Sequence, residues 1–216
     1  RLTESFNIIP LALMTSILPL MSKYYEASKN NFDTLYKLSF KYLLSFIIPI
    51  AVVISIFSEQ ITLFFFGKDF LSSGYALRIL IWAEIFVFVG VVNNSILIAA
   101  RKQIIDPIFT GASVLVNVVL NFILIPKYSF VGAATASVIS YAIGPIMGYF
   151  IPSTKAYSRC MFYYSFKPLC ASLFMFLFIY YTRNFFWISF LISPFIYLLI
   201  LYFIKGVDKK DAYRSN

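Results

Sequence analysis

The chain has 216 residues, of which 61% are hydrophobic and 12% charged, about half the charged share of an ordinary soluble domain. A single soluble core of this size cannot hide so much apolar side chain, so soluble, disordered and coiled-coil classes are excluded and a membrane protein remains. The formal charge of +9 is distributed between hydrophobic runs, which points to membrane topology and away from nucleic acid, and the lack of any histidine removes histidine triads, histidine-ligated zinc and histidine general bases.

Seven hydrophobic segments follow in chain order, at 6–21, 40–57, 77–100, 107–125, 129–151, 168–181 and 185–204. Each is read as a helix crossing a hydrocarbon layer of about 30 Å, the first and sixth being short for it. Between the second and third lies 60–70, with the run Phe64–Phe66 before Gly67, too short to span and apolar enough to lie in the interface. Pro49, Pro145 and Pro194 fall within spans and are expected to kink them. Cys160 and Cys170 form no metal or disulfide pattern and read as incidental thiols.

Basic residues alternate strictly from linker to linker. Thirteen (Lys23, Lys29, Lys37, Lys41, Arg101, Lys102, Lys155, Arg159, Lys167, Lys205, Lys209, Lys210 and Arg214) fall on one side, against Lys68, Arg78, Lys127 and Arg183 on the other. The positive-inside rule then places the C-terminus in the cytoplasm and makes the first span run inward. An odd number of crossings entering from outside, in a chain that begins at Arg1, reads as the C-terminal portion of a larger transporter.

Glu84 is the one acid inside a confident span, six residues and about 9 Å deeper than Arg78, a spacing at which the two do not pair along one face. A carboxylate at that depth suits uptake of a proton or sodium ion, or pairing with a polar group of a neighbouring helix. Asn93 and Asn94 lie near the inner end of the same span. Ser113, Asn117 and Asn121 recur every four residues on the next and form a polar stripe that faces a helix or a cavity. Amides lining a cavity would suit sugar hydroxyls. The fifth span carries Gly132, Ala136, Ser140, Gly144 and Gly148 at the same spacing, a ridge for close helix packing.

Four stretches, PLALMTSILPLMSKYYE (10–26), ITLFFFGKDF (61–70), NNSILIAARKQ (93–103) and NVVLNFILIPKYSFVGAATASVISY (117–141), resemble the polysaccharide-transporter flippases of the multidrug/oligosaccharidyl-lipid/polysaccharide exporter superfamily. The resemblance implies an all-α, multi-pass transmembrane helical bundle, the C-terminal lobe of a two-lobe exporter-type transporter. On that template 1–151 corresponds to helices 8–12 of a 14-helix protein, 152–204 to a final helix pair and 205–216 to a basic cytoplasmic tail. The implied task is moving polyprenyl-pyrophosphate-linked oligosaccharide across the cytoplasmic membrane by alternating access, for cell-surface polysaccharide assembly. The expected partners are the lipid-linked oligosaccharide, membrane lipids and the N-terminal lobe; no cofactor or metal is expected. Drug-exporting relatives often have an acid where Asn121 stands, and usually stop at 12 helices. A lipid-linked peptidoglycan-precursor flippase and a cation-coupled multidrug exporter remain alternatives. A membrane enzyme is disfavoured by short external loops and the lack of histidine.

Overall fold

The computed structural model describes residues 3–182 and 186–204. A 3₁₀ turn at Glu4–Asn7 leads into α1 (Ile8–Ala27), α2 (Lys29–Ile56), the short α3 (Ser58–Phe66), a second 3₁₀ turn at Lys68–Phe70, α4 (Leu71–Ala99), α5 (Ile105–Phe150), α6 (Lys155–Thr182) and α7 (Phe186–Phe203). Among the described residues every ordered element is a helix, and five are long and apolar enough to cross a bilayer; in α7 the apolar stretch Ser189–Phe203 is shorter.

Over their described residues, all seven hydrophobic segments match helices to within a residue at their ends. The fourth and fifth are joined in α5, whose 46 residues are divided at Ser129, where φ 51° and ψ −132° reverse the chain. Pro126 precedes the break and has no N–H to continue the helical ladder. The two arms then return side by side. At Gly132 an added Cβ would lie 2.4 Å from the Leu124 carbonyl oxygen, so the hairpin closes only because that position has no side chain. Pro49, Pro145 and Pro194 stay within uninterrupted helical segments.

Two linkers expected from the charge pattern are helical instead. α1 and α2 are separated by Ser28 alone, whose extended backbone closes one helix on the Tyr24 carbonyl and opens the next toward Phe32. α6 begins at Lys155, well before the apolar stretch at 168. At 28 residues each, α2 and α6 are about 42 Å long and exceed the hydrocarbon layer. Their surplus meets in an aromatic block: Phe32 lies edge-on to Tyr36 at 5.7 Å, and Tyr36 to Tyr157 at 5.1 Å. Lys41, assigned to the edge of that linker, is a helix residue only 2% exposed.

α4 is the central helix, packed on α1, α2, α3 and α5, while α2 also carries α6. Buried Phe40, Leu44, Ile47, Phe88, Val92 and Ile96 join the α2 and α4 faces. α7 docks through Tyr197, whose hydroxyl donates to the Ser45 carbonyl at 2.8 Å. α3 lies against α4 by the Arg78–Glu59 ion pair at 2.8 Å and exposes Leu63, Phe64, Phe65 and Phe66. It ends where Gly67 takes φ 85°, a conformation open to glycine alone at little cost. α5 is the most open helix; Phe122 is 79% exposed, which an aqueous surface would penalise and a lipid or helix-covered one would not. Arg183 and the basic tail at 205–216 lie outside the described residues.

Candidate transport cavity

A cavity of about 580 Å³ opens between α1, α4 and both arms of α5. Part of the lining is largely apolar, formed by Leu11, Met14, Thr15 and Leu18 of α1 with Phe86, Val87 and Val91 of α4. Polar side chains gather at the end of α4 and along α5: Asn93 and Asn94 of α4, Asp106, Thr110, Ser113 and Asn117 on the first arm of α5, Ser137, Ser140 and Tyr141 on the second, with Phe109, Val114 and Pro145 among them.

The polar wall arises from helical periodicity. Residues 106, 110, 113 and 117 are separated by four, three and four positions, so they share one face of a 3.6-residue helix. The sequence-stripe Ser113–Asn117–Asn121 is thus continued inward by two residues that composition alone left among loop and span-edge positions. The signal for Asp106 was its register with Ser113 and Asn117.

Three of the five candidate pathway residues line this cavity. Asn94 Nδ2 donates to Asp106 Oδ2 at 3.0 Å, joining α4 to the start of α5. Asn93 lies one position away and also borders a small void beside Thr154 and Ser158. Asn117 Nδ2 donates to Ser140 Oγ at 3.0 Å across the two arms. Ser140 in turn donates to the Ser137 carbonyl.

The other two lie beyond it. Asn121 Nδ2 donates to Asn117 Oδ1 at 2.9 Å, while its own buried Oδ1 has no partner among the described residues. Glu84 sits one turn along α4 from Val87 and is 5% exposed beneath the N-terminal 3₁₀ turn. The Thr3 hydroxyl is hydrogen-bonded to it, and its Oε2 is left unpartnered. Arg78 is turned away toward Ser58 and Glu59.

The small-residue ridge faces the first arm of α5 and the start of α6. Ala136 is fully buried, a Cβ added at Gly144 would lie 3.8 Å from Phe109 Cβ, and one at Gly148 would meet Ser158 Oγ at 2.6 Å. Cys160 and Cys170 are free thiols, and among the described residues no cluster of acids and thiols could hold a metal ion.

Long apolar helices packed around a partly polar cavity define a helical membrane-protein bundle. A solved lipid II flippase in an inward closed conformation superposes with a TM-score of 0.73 at 22% identity, covering 95% of this chain and 46% of that one. The family model described as MatE matches residues 1–123, and the chain belongs to that family. A protein of Haloferax volcanii named as a probable low-salt glycan biosynthesis flippase is 29% identical over 150 residues, 68% of this chain and 31% of its own. A capsular polysaccharide biosynthesis protein of Staphylococcus aureus is 28% identical over 135 residues, 62% of this chain and 34% of its own. The chain therefore spans about a third of the length of these relatives.

Proposed function

We propose that this chain forms the C-terminal part of a flippase for polyprenyl-diphosphate-linked oligosaccharide. The complete transporter carries the glycan from the cytoplasmic to the outer leaflet of the cell membrane, for assembly of surface polysaccharide. The observation carrying this reading is the amide- and hydroxyl-lined cavity in a MatE chain, backed by an apolar wall suited to a lipid. Two relatives named for glycan and capsular polysaccharide biosynthesis support the same substrate class.

Residues 1–151 contribute to a transport lobe, 152–204 form an additional helix pair, and the basic tail lies in the cytoplasm. The lobe rocks against the remainder of the protein, exposing the cavity to each leaflet in turn. No bond of the substrate changes. Glu84, buried with one oxygen unpartnered, supports a coupling role in which it takes up a proton or sodium ion.

The test is deletion of the full-length gene, followed by modification of lipid-linked glycan on intact cells with a membrane-impermeant sugar reagent. Glycan held in the inner leaflet with loss of surface polysaccharide is the expected result. Normal outward display overturns the reading, and new drug sensitivity would then identify an exporter of small amphipathic compounds.

A further inference from the structure

The polar wall of the cavity has an uneven charge. Among the described residues its one carboxylate is Asp106, and no lysine or arginine lines it. The nearest arginine in sequence, Arg101, is engaged with Glu26 at the end of α1. Among the described residues Asp106 is hydrogen-bonded by the Asn94 amide and forms no ion pair, so its carboxylate keeps acceptor capacity free toward the cavity.

The neighbouring donors and acceptors are neutral: Thr110, Ser113 and Asn117 follow Asp106 along one helix face. Side-chain hydroxyls and amides of this kind exchange hydrogen bonds with sugar hydroxyls or N-acetyl groups in either direction. A carboxylate only accepts. It therefore favours hydroxyl-, amide- or amine-bearing residues and repels a second carboxylate, and the apolar wall of α1 weakens screening of that repulsion.

We propose that Asp106, held by Asn94, is a specificity-determining residue that selects neutral or amine-bearing glycan residues over uronic acids at this end of the cavity. The inference rests on the flippase reading and narrows its substrate class. It also places recognition of the carrier diphosphate away from this wall, where the described residues offer that group no cation.

The test uses the intact transporter in lipid nanodiscs and three probes: a farnesyl-diphosphate-linked disaccharide of N-acetylhexosamines, its counterpart ending in a hexuronic acid, and farnesyl diphosphate alone. The wild-type protein is expected to bind the neutral glycan at least about fivefold more tightly than the acidic one, as a like-charge contact requires. Asp106→Asn, which retains an acceptor for the Asn94 amide, is expected to bring the two within about twofold, chiefly by tighter binding of the acidic probe. Glu59→Gln, outside the cavity, should leave the ratio unchanged. The wild-type preference needs no variant and stands as an independent measurement. Equal or tighter wild-type binding of the acidic glycan, or a ratio unmoved by Asp106→Asn, overturns the inference alone. Failure of all three probes to bind overturns the flippase reading, and this inference with it.

Discussion

Asn117 donates its side-chain amide to the Ser140 hydroxyl at 3.0 Å, joining the two arms of α5 at the cavity wall. Asn121 donates to Asn117 one turn further on, so the three side chains form a directional chain within a helical hairpin. The relationship makes Asn117 the member whose loss strands both neighbours.

Asn117→Leu is accordingly expected to destabilise the full-length protein by about 1–2 kcal/mol, near the upper end for interhelical hydrogen bonds in membrane proteins. Asn121→Leu removes one hydrogen bond and also an unpartnered buried oxygen, and should stay within about 0.5 kcal/mol of wild type. Thermal unfolding of both variants in one detergent checks the ordering; equal losses would remove the special place of Asn117.

Gly132→Ala places a methyl group 2.4 Å from the Leu124 carbonyl oxygen, and backbone cannot rotate aside as a flexible side chain can. A loss of about 1–3 kcal/mol and poor membrane accumulation are expected. Gly111→Ala is the matched control, since nothing lies within 4 Å of its Cβ position. It should accumulate normally and gain slightly from helix propensity. Western blotting of membranes and detergent unfolding curves would separate the two.

Glu84→Gln preserves size and a hydrogen-bond partner for Thr3 while removing the ability to carry a negative charge. Transport of lipid-linked glycan under an imposed ion gradient is expected to fall at least about tenfold with normal expression, as loss of a coupling group would produce. Unchanged gradient-driven transport would assign Glu84 a packing role.

Topology can be read by labelling in a background where Cys160 and Cys170 are replaced by serine. Gln103→Cys, in the linker after α4, is expected to react with an impermeant maleimide only in inverted vesicles. Lys127→Cys, beside the break in α5, should react on intact cells. The opposite pattern would invert the whole chain and with it the direction assigned from the basic linkers.

The apolar runs made the helices legible in the sequence, because a bilayer demands long uninterrupted hydrophobic stretches. The helical linkers at 29–39 and 155–167 were not legible that way: Lys29, Asp33, Lys37 and Arg159 interrupt hydropathy without interrupting a helix. Asn93, Asn94 and Asn117 were identified by being polar in apolar surroundings, and the structure brings all three to one cavity. Glu84 had the same signal and lies elsewhere, because depth and residue type cannot say which neighbour covers a helix face. Asp106 escaped notice by sitting in what looked like a linker. Its place on the cavity lining depends on its register with Thr110, Ser113 and Asn117, which a continuous helix sets.

The edge-on block of Phe32, Tyr36 and Tyr157 stands on the stretches 29–39 and 155–167, where charged residues interleave with it, beyond the apolar runs of α2 and α6. Inside a bilayer, apolar side chains gain little from meeting each other, since lipid solvates them equally well. Beyond it, the same contact expels water and is driven by the hydrophobic effect. The bundle therefore has two kinds of cohesion along its length. Stripping lipid should loosen the α1–α5 cleft first and leave the α2–α6 aromatic end clasped, so delipidated protein would fray from that cleft and remain joined at its other end.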